Sequence, residues 1–480
     1  MSDPVQMEKS GMEEKKKLHS RYNPVAEAEK YINSLSLRRG IRFFILIEPG
    51  LGYMIPALEK KFPDAKVVAL HVEDARREGG VQSALEKAIP DTEASTIEII
   101  EWRPSLLFYK ERYVRLMAET VAFVKRSDAN KRTTAYFGKK WFRNFFRNIA
   151  IIGAFLAPEK HAGSCVIAGA GPSLEEALPV IKKLKETKKI FVLAASSAVE
   201  PLIHANVKPD IVVATDGGNW ASFHLFSTLR SRGKQGGTAV EGGRKTILAI
   251  SAFAALPSQA ASIPVLLMTD GSLWQKTVLA GLGVPFLNMA QRGTVTASAL
   301  DLAFAVFQGN VFIAGMDLAN DDIRAHARPY SLDFFMEKAN RLACAYSTAF
   351  ARTVEVAGSM GIYAEWFKKQ LPAYPKRLYT IGKNNAVFSS LPSYETARWT
   401  TEAGGKNAGG ENWTPRFSAR SGDENAMARK AGTLLAGALR DSLVKKEVCD
   451  LLSVRTEEEA LEEISRVLKN EKVGGWLNCV

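Results

Sequence analysis

CVIAGAGPSLEEALPVIKKL (residues 165–184) reads as a buried strand, a glycine turn and a helix, and the fold follows from it. Cys165 to Gly169 is a short apolar run, as a fully covered strand requires. Gly169 and Gly171 allow close backbone approach and positive φ. Pro172 suits a first helical turn, and Ser173 followed by Glu176 has capping-box spacing. Leu174, Ala177, Leu178, Ile181 and Leu184 then recur on one helical face. A helix that begins this way presents free N–H groups to a phosphate. Leu174 stands where a dinucleotide fingerprint has its third glycine, and no GK[ST] follows for a Walker A loop. The competing reading is a plain strand-to-helix turn.

The same alternation continues downstream. IFVLAA (190–195), DIVVATD (210–216), TILAIS (246–251), PVLLMTD (264–270) and NVFIAGMD (310–317) are further short apolar runs between helical patterns. That alternation predicts βαβ units and an α/β fold, with a Rossmann-like, mostly parallel, two-sided sheet in a central domain. Ligands of such sheets sit beyond the carboxyl ends of the strands. Small and polar residues collect there: Ser196 and Ser197, Thr215 to Gly218, and Gly315 to Asp317, with Gly293 and Thr294 opening a helix.

Four regions are expected. Residues 1–123 form a smaller N-terminal α/β domain with strands at 41–47, 66–70 and 95–100. Residues 124–160 are a basic, aromatic helical connector, 161–370 the central domain, and 371–480 a loop followed by a helical C-terminal region. In the connector, Phe137, Trp141 and Phe145 recur every four residues. That spacing favours a face packed on the sheet over base stacking, so nucleic acid is not the expected partner. The loop is TEAGGKNAGGENWTPRFSARSGDEN (401–425), and helices are expected near 424–446 and 456–469. The turn EPGLGYMIPAL (48–58) resembles that of methyltransferase-like folds, but His71 intervenes before Glu73 at the end of the next strand. A structural domain is the preferred reading.

Of the 480 residues, 46% are hydrophobic, enough to fill several cores. No apolar stretch reaches the roughly 18–20 residues of a membrane helix. The polar beginning MSDPVQMEKSGMEEKKK has no apolar signal region, which places the protein in the cytoplasm as an expectation. Four cysteines without CxxC spacing and six scattered histidines argue against a disulfide framework or a zinc site. Asp321 and Asp322 alone are a weak metal motif. A net charge of +13 asks for an anionic partner without choosing one.

GAGPSL, VKPDIVVATDGG, RGTVTASALDLAFAVFQGNVFIAGMDLA and the nearby His326, in that order, resemble the motility-associated factor (Maf) family, proposed flagellin glycosyltransferases with an MptE-like central domain. That domain is in turn similar to the sialyltransferases that use CMP-sialic acid (glycosyltransferase family 42). SRYNPVAEAEKYI (20–32) and EPGLGYMIPALEKKFPDAKVV (48–68) resemble the family's N-terminal domain, and WFRNFFRN (141–148) its connector. The resemblance implies that Gly169, Gly171, Pro172 and Ser173 cradle the donor phosphate. It implies that Gly293 and Thr294 contact base or ribose. Ser196 stands where the sialyltransferases keep an asparagine. Thr215, Asp216 and Asp317 join the donor site, Asp216 as a contact or as an orienting group. His326, in the polar loop DDIRAHARP, is the candidate base, since transfer to a hydroxyl needs a proton acceptor near neutral pH. Arg324 and Arg328 are candidates for holding a sugar carboxylate, because guanidinium pairs well with carboxylate.

The implied reaction moves a nonulosonic acid or related sugar from a CMP-activated donor to Ser or Thr of flagellin, in support of flagellum assembly or motility. It is expected to be inverting and metal-independent, with no essential cofactor, and flagellin and the nucleotide-sugar donor are the expected partners. Two alternatives stand beside it: an ATP-dependent pterin pyrophosphokinase-like enzyme, and a non-catalytic, flagellin-binding nucleotide sensor.

Overall fold

The computed structural model describes residues 15, 17–74, 80–89, 96–188, 190–233, 245–290, 292–319, 324–338, 359–397, 417–419 and 424–469. The chain divides into two units, Met1–Gly138 and Lys139–Val480. One long helix, Glu111–Ile151, runs through that boundary.

In the N-terminal unit, β1 (Phe43–Ile47), β2 (Lys66–Leu70) and β3 (Ile97–Glu101) form a parallel sheet in the order β2-β1-β3. Parallel neighbours need crossover connections, and the helices Met54–Lys61 and Gly80–Ala88 supply them. The central strand is buried throughout, with Phe44, Ile45, Leu46 and Ile47 excluded from solvent.

The second unit is built on one large sheet. Its strands are β4 (Ala154–Leu156), β5 (Cys165–Ala168), β6 (Phe191–Ala195), β7 (Ile211–Ala214), β8 (Ile247–Ser251), β9 (Val265–Thr269), β10 (Leu287–Asn288), β11 (Val311–Ala314), β12 (Leu378–Thr380) and β13 (Phe417–Ala419). The order is β12-β11-β5-β6-β7-β8-β9-β4-β13, with β10 beside β9. Every pairing is parallel except β13 with β4. Successive side chains of a strand point to opposite faces, and both faces are buried. Val166, Val192, Val212, Leu248 and Phe312 pack on the side of the helices Leu174–Lys188 and Leu273–Leu282. Ile167, Leu193, Val213, Ala249 and Ile313 pack on the side of the helix Val295–Val306.

All six strands expected between residues 165 and 317 form, and the fold is α/β with a mostly parallel, two-sided sheet. β4, β10, β12 and β13 span two or three residues each, too short for a periodic pattern to mark. Most of the glycine-rich loop at 401–425 lies outside the described residues; within it, Phe417–Ala419 forms β13. The single helix expected over 424–446 is two, Glu424–Ala438 and Ser442–Leu452, followed by Glu457–Lys469. The break comes from Asp441, whose carboxylate accepts from Leu443 N (2.8 Å) and Val444 N (3.2 Å) and caps a fresh helix.

The aromatic face of the long helix is core. Phe142, Phe145 and Phe146 are buried, and Phe142 and Phe145 meet the Trp274 ring at 5.6 and 4.6 Å. Its polar residues bind sheet loops. Asn148 Nδ2 donates to Ala252 O (3.0 Å) and Ala254 O (2.9 Å), and Asn144 Nδ2 to Gly217 O (3.2 Å) and Phe253 O (2.9 Å). Among the described residues, no helix is long and apolar enough to cross a membrane.

Candidate functional site

The order of the sheet locates the site. From β5 the chain steps outward through β6, β7 and β8 to β9, then returns along Val295–Val306 to β11 on the other side of β5. The direction reverses between β5 and β11, and the crevice of an open parallel sheet lies outside the carboxyl ends at such a reversal. The two turns there are GAGPSL after β5 and GMD after β11.

These turns touch. A side chain on Gly169 would begin 2.4 Å from Gly315 O, and one on Gly315 (φ +66°) would begin 2.5 Å from Gly169 O. Gly171 N donates to Gly315 O at 2.8 Å. Ser173 N donates to Asp317 Oδ2 at 2.8 Å, and the Ser173 hydroxyl donates to Asp317 Oδ1. Asp317 O in turn accepts from Asn385 Nδ2 (2.8 Å), and Asn384 Oδ1 accepts from Met316 N (3.0 Å).

This geometry corrects the phosphate-cradle reading of the turn. Ser173 closes no capping box with Glu176, because its hydroxyl serves Asp317; Glu176 lies 3.8 Å from Lys383. Gly169 N is bonded to Ala314 O, Leu174 N to Gly171 O and Glu175 N to Pro172 O. A carboxylate of the protein therefore stands where an anion at this helix N-terminus was expected, the favourable place for any negative charge. Asp317 is a donor-site candidate only as a hydrogen-bond acceptor, and Pro172 shapes the turn.

The loop of His326 docks on that same turn, with Ala327 N donating to Ala170 O at 2.8 Å. Residues 320–323, including Asp321 and Asp322, lie outside the described residues. Arg324 Nη1 reaches both oxygens of Glu175 at 3.2 Å, and Arg328 N donates to Glu175 Oε1 at 2.9 Å. Arg324 thus has an internal carboxylate partner, and the exposed Arg328 holds the loop by its backbone.

The His326 ring is stacked on Tyr330, with centroids 4.0 Å apart and planes 5° from parallel. Tyr330 also lies 5.4 Å from the ring of His224, whose Nδ1 is 2.5 Å from Ser331 Oγ. Burial lowers the affinity of His326 for a proton, with Asp333 opposing. Burial, and then His326, push His224 down to about 4, against the pull of Asp216. Both imidazoles are neutral at pH 7 and able to accept a proton. Burial and Asp333 push Tyr330 up to about 12, so it remains a phenol.

The other predicted positions occupy the same edge of the sheet. Ser196 is buried at the end of β6. Thr215 and Asp216 follow β7; Asp216 is exposed, and its Oδ1 accepts from Gly218 N at 2.7 Å. Gly217 is pressed against Trp141, whose ring stacks on Phe253 at 5.2 Å. Lys140 lies near Asp216 and is shifted down, by burial first. Gly293 (φ +68°) and Thr294 open the helix on the opposite face, with Tyr363 at 3.2 Å from a side chain placed on Gly293. Arg292 holds that turn through an ion pair with Asp301 and a cation–π contact with Trp366 at 5.3 Å.

Sequence reading overlooked His224, Tyr330 and Ser331, along with Lys140, Asn384 and Asn385. His224 carried a usable signal, since it lies in the first turn of the helix that follows β7 and so at the strand's carboxyl end. Asn384 and Asn385, at the far side of β12, had none.

Comparison with known proteins places this architecture. The family model described as 6-hydroxymethylpterin diphosphokinase MptE-like matches residues 139–322. A protein of Treponema pallidum (strain Nichols), described as uncharacterized, is 25% identical over 323 residues, which are 64% of this chain and 66% of that protein, just under two thirds of its length. The structure of a Maf glycosyltransferase from Magnetospirillum magneticum AMB-1 is similar with a TM-score of 0.54 and 14% identity, over 92% of this chain and 77% of that one. The central part of the chain, residues 139–322, is therefore similar to the MptE-like family, and the chain has a fold similar to that of a Maf glycosyltransferase.

Proposed function

We propose that this protein is a glycosyltransferase that moves a nonulosonic acid or related sugar from a CMP-activated donor to a Ser or Thr hydroxyl of flagellin. The carrying observation is the docking of the His326 loop onto the glycine turn at the sheet's reversal point, with the neutral imidazoles of His326 and of nearby His224. The similarity to a Maf glycosyltransferase structure supports the same reading.

In this proposal the nucleoside part of the donor lies beyond the carboxyl ends of β5 and β11, against the outer side of the touching Gly169–Ser173 and Gly315–Asp317 turns. Asp317 accepts from a ribose hydroxyl or an amino group, and Ser196, Thr215, Asp216, Gly293 and Thr294 border the remainder. The acceptor oxygen attacks the anomeric carbon as its bond to the phosphate breaks, CMP leaves, and the hydroxyl proton passes to His326. The nucleotide is a good leaving group, so positioning and one proton acceptor suffice, without a metal. Arg328 remains the candidate for a sugar carboxylate.

Intact-mass measurement of flagellin from cells with and without this gene tests the reaction. A mass that drops by a sugar increment in the deletion is expected; an unchanged mass overturns the proposal. His326→Ala tests the base, and unchanged glycosylation removes His326 from the mechanism. The similarity of residues 139–322 to the 6-hydroxymethylpterin diphosphokinase MptE-like family favours a second reading, transfer of a diphosphate from ATP to a hydroxymethylpterin. Formation of AMP from ATP with a pterin acceptor would select it.

A further inference from the structure

The N-terminal unit has a reversal point of its own. β1 lies between β2 and β3, so the crevice at its carboxyl end is where an open parallel sheet receives a ligand. The turn there, EPGLGY (48–53), holds Gly50 at φ +63° and Gly52 at φ +80°. Leu51 points its N–H outward, while the amides around it bond within the turn: Gly52 N to Pro49 O at 3.1 Å and Ile55 N to Gly52 O at 2.9 Å.

The chain fills this position with a ring. His19 Nε2 accepts from Leu51 N at 3.0 Å and stands 2.3 Å from where a Gly50 side chain would begin. Its imidazole is stacked on Trp102, at the end of β3, with centroids 5.6 Å apart and planes 24° from parallel. Tyr53 meets it edge-on at 4.9 Å. Trp102 Nε1 donates to Leu18 O at 3.1 Å, and Lys15 Nζ lies 3.9 Å from Glu73 beyond β2. Lys15, Leu18 and His19 thus lie at the carboxyl ends of the three strands. His19 is only 8% exposed, and its Nδ1 has no hydrogen-bond partner among the described residues. A buried, unpartnered ring nitrogen is a cost that a purpose-built plug would avoid.

We propose that this crevice is a nucleoside-class site whose base position is held by His19, and that residues 17–20 are a strap displaced by a planar nitrogen heterocycle. The slot asks for an aromatic ring with one acceptor nitrogen, flanked by Trp102 and Tyr53, which describes a nucleobase. Of the nearby carboxylates, Glu48 is buried on Val72 N (2.7 Å) and His71 (3.0 Å), and Asp74 accepts from His71 N (2.7 Å). Glu73 is half exposed, with only Lys15 Nζ near its carboxylate, at 3.9 Å among the described residues, so the ribose hydroxyls fall to it. The turn recognises base and ribose, and its remaining amides leave no cradle for a phosphate.

The test uses the full chain with His19→Gly, which empties the slot, and His19→Phe, which keeps a ring but no acceptor. Imidazole and adenosine are the probes, followed by calorimetry and thermal melting. His19→Gly is expected to gain stability with either probe and to bind adenosine about tenfold more tightly than the native chain, the worth of one hydrogen bond. His19→Phe is expected to bind neither. A folded His19→Gly chain that ignores both probes at millimolar concentration overturns the proposal, as does equal binding by His19→Phe. If His19→Gly fails to fold, hydrogen exchange of the native chain decides: faster exchange across 17–20 with adenosine supports the strap, and no change overturns it.

Discussion

Gly169→Ala would place a methyl group 2.4 Å from Gly315 O and 3.0 Å from Gly315 C, both backbone atoms that have no rotamer to adopt. Gly169 itself has no positive φ, so the whole cost is overpacking, about 1–3 kcal/mol. Gly315→Ala meets Gly169 O at 2.5 Å and the Leu174 Cβ at 2.8 Å, and it must also hold φ at +66°. Left-handed backbone adds about 1–2 kcal/mol for a residue with a Cβ, which makes a total of about 2–5 kcal/mol. In a unit this large each kcal/mol lowers Tm by about 2 °C, so melting should fall by about 2–6 °C for Gly169→Ala and about 4–10 °C for Gly315→Ala. Both methyls push the same two turns apart, so the double variant should lose less than the sum of the singles, with a coupling of about 0.5–3 kcal/mol. Differential scanning calorimetry of the four chains measures this. An unchanged melting point for Gly169→Ala, or strict additivity in the double variant, would refute the direct contact of the β5 and β11 turns.

Other outcomes follow from the same geometry. His224 takes a proton at about 4 in the folded chain, against its ordinary 6.5, because burial and then His326 disfavour the charge. The unfolded chain therefore binds the proton first, so stability is full above 6.5 and declines as pH falls toward 4, by at most roughly 3 kcal/mol. Urea unfolding at a series of pH values should show a shallower acid decline for His224→Gln, and an unchanged slope would count against the assignment. Asn148→Ala leaves the carbonyls of Ala252 and Ala254 without their buried donor, and should cost about 2–3 kcal/mol in denaturant unfolding, well above the cost of Asn144→Ala. Asp441→Ala removes an N-cap and should cost about 1 kcal/mol in the same assay; a loss above about 2 would mean that Asp441 does more than cap.

The strands that were legible are those buried on both faces. Runs such as FVLAA (191–195) and VLLMT (265–269) cannot alternate, and their uniform apolarity marked them. The carboxyl-edge positions Ser196, Thr215, Gly293 and Gly315 followed once the strands were placed. What misled was the glycine turn. Gly169 and Gly171 announce that something approaches closely, but glycine does not say what. Here the neighbours are the backbone of Gly315 and the carboxylate of Asp317, more than 140 residues on. His224 and Tyr330 were unreadable as a pair because a ring contact between a helix and a distant loop leaves no periodic trace.

By itself the sequence determined the α/β class, the parallel sense of the sheet and the edge at which a ligand would sit. Those depend on local periodicity and on the geometry of crossover connections, both of which are written residue by residue. Only the tertiary structure decided which strands became neighbours, and so where the chain reverses. It brought Asp317 to the helix N-terminus, Tyr330 against His326, and His19 into the turn at Gly50. Those contacts join segments far apart in the chain, and their energy comes from desolvation and close packing, which no local pattern encodes.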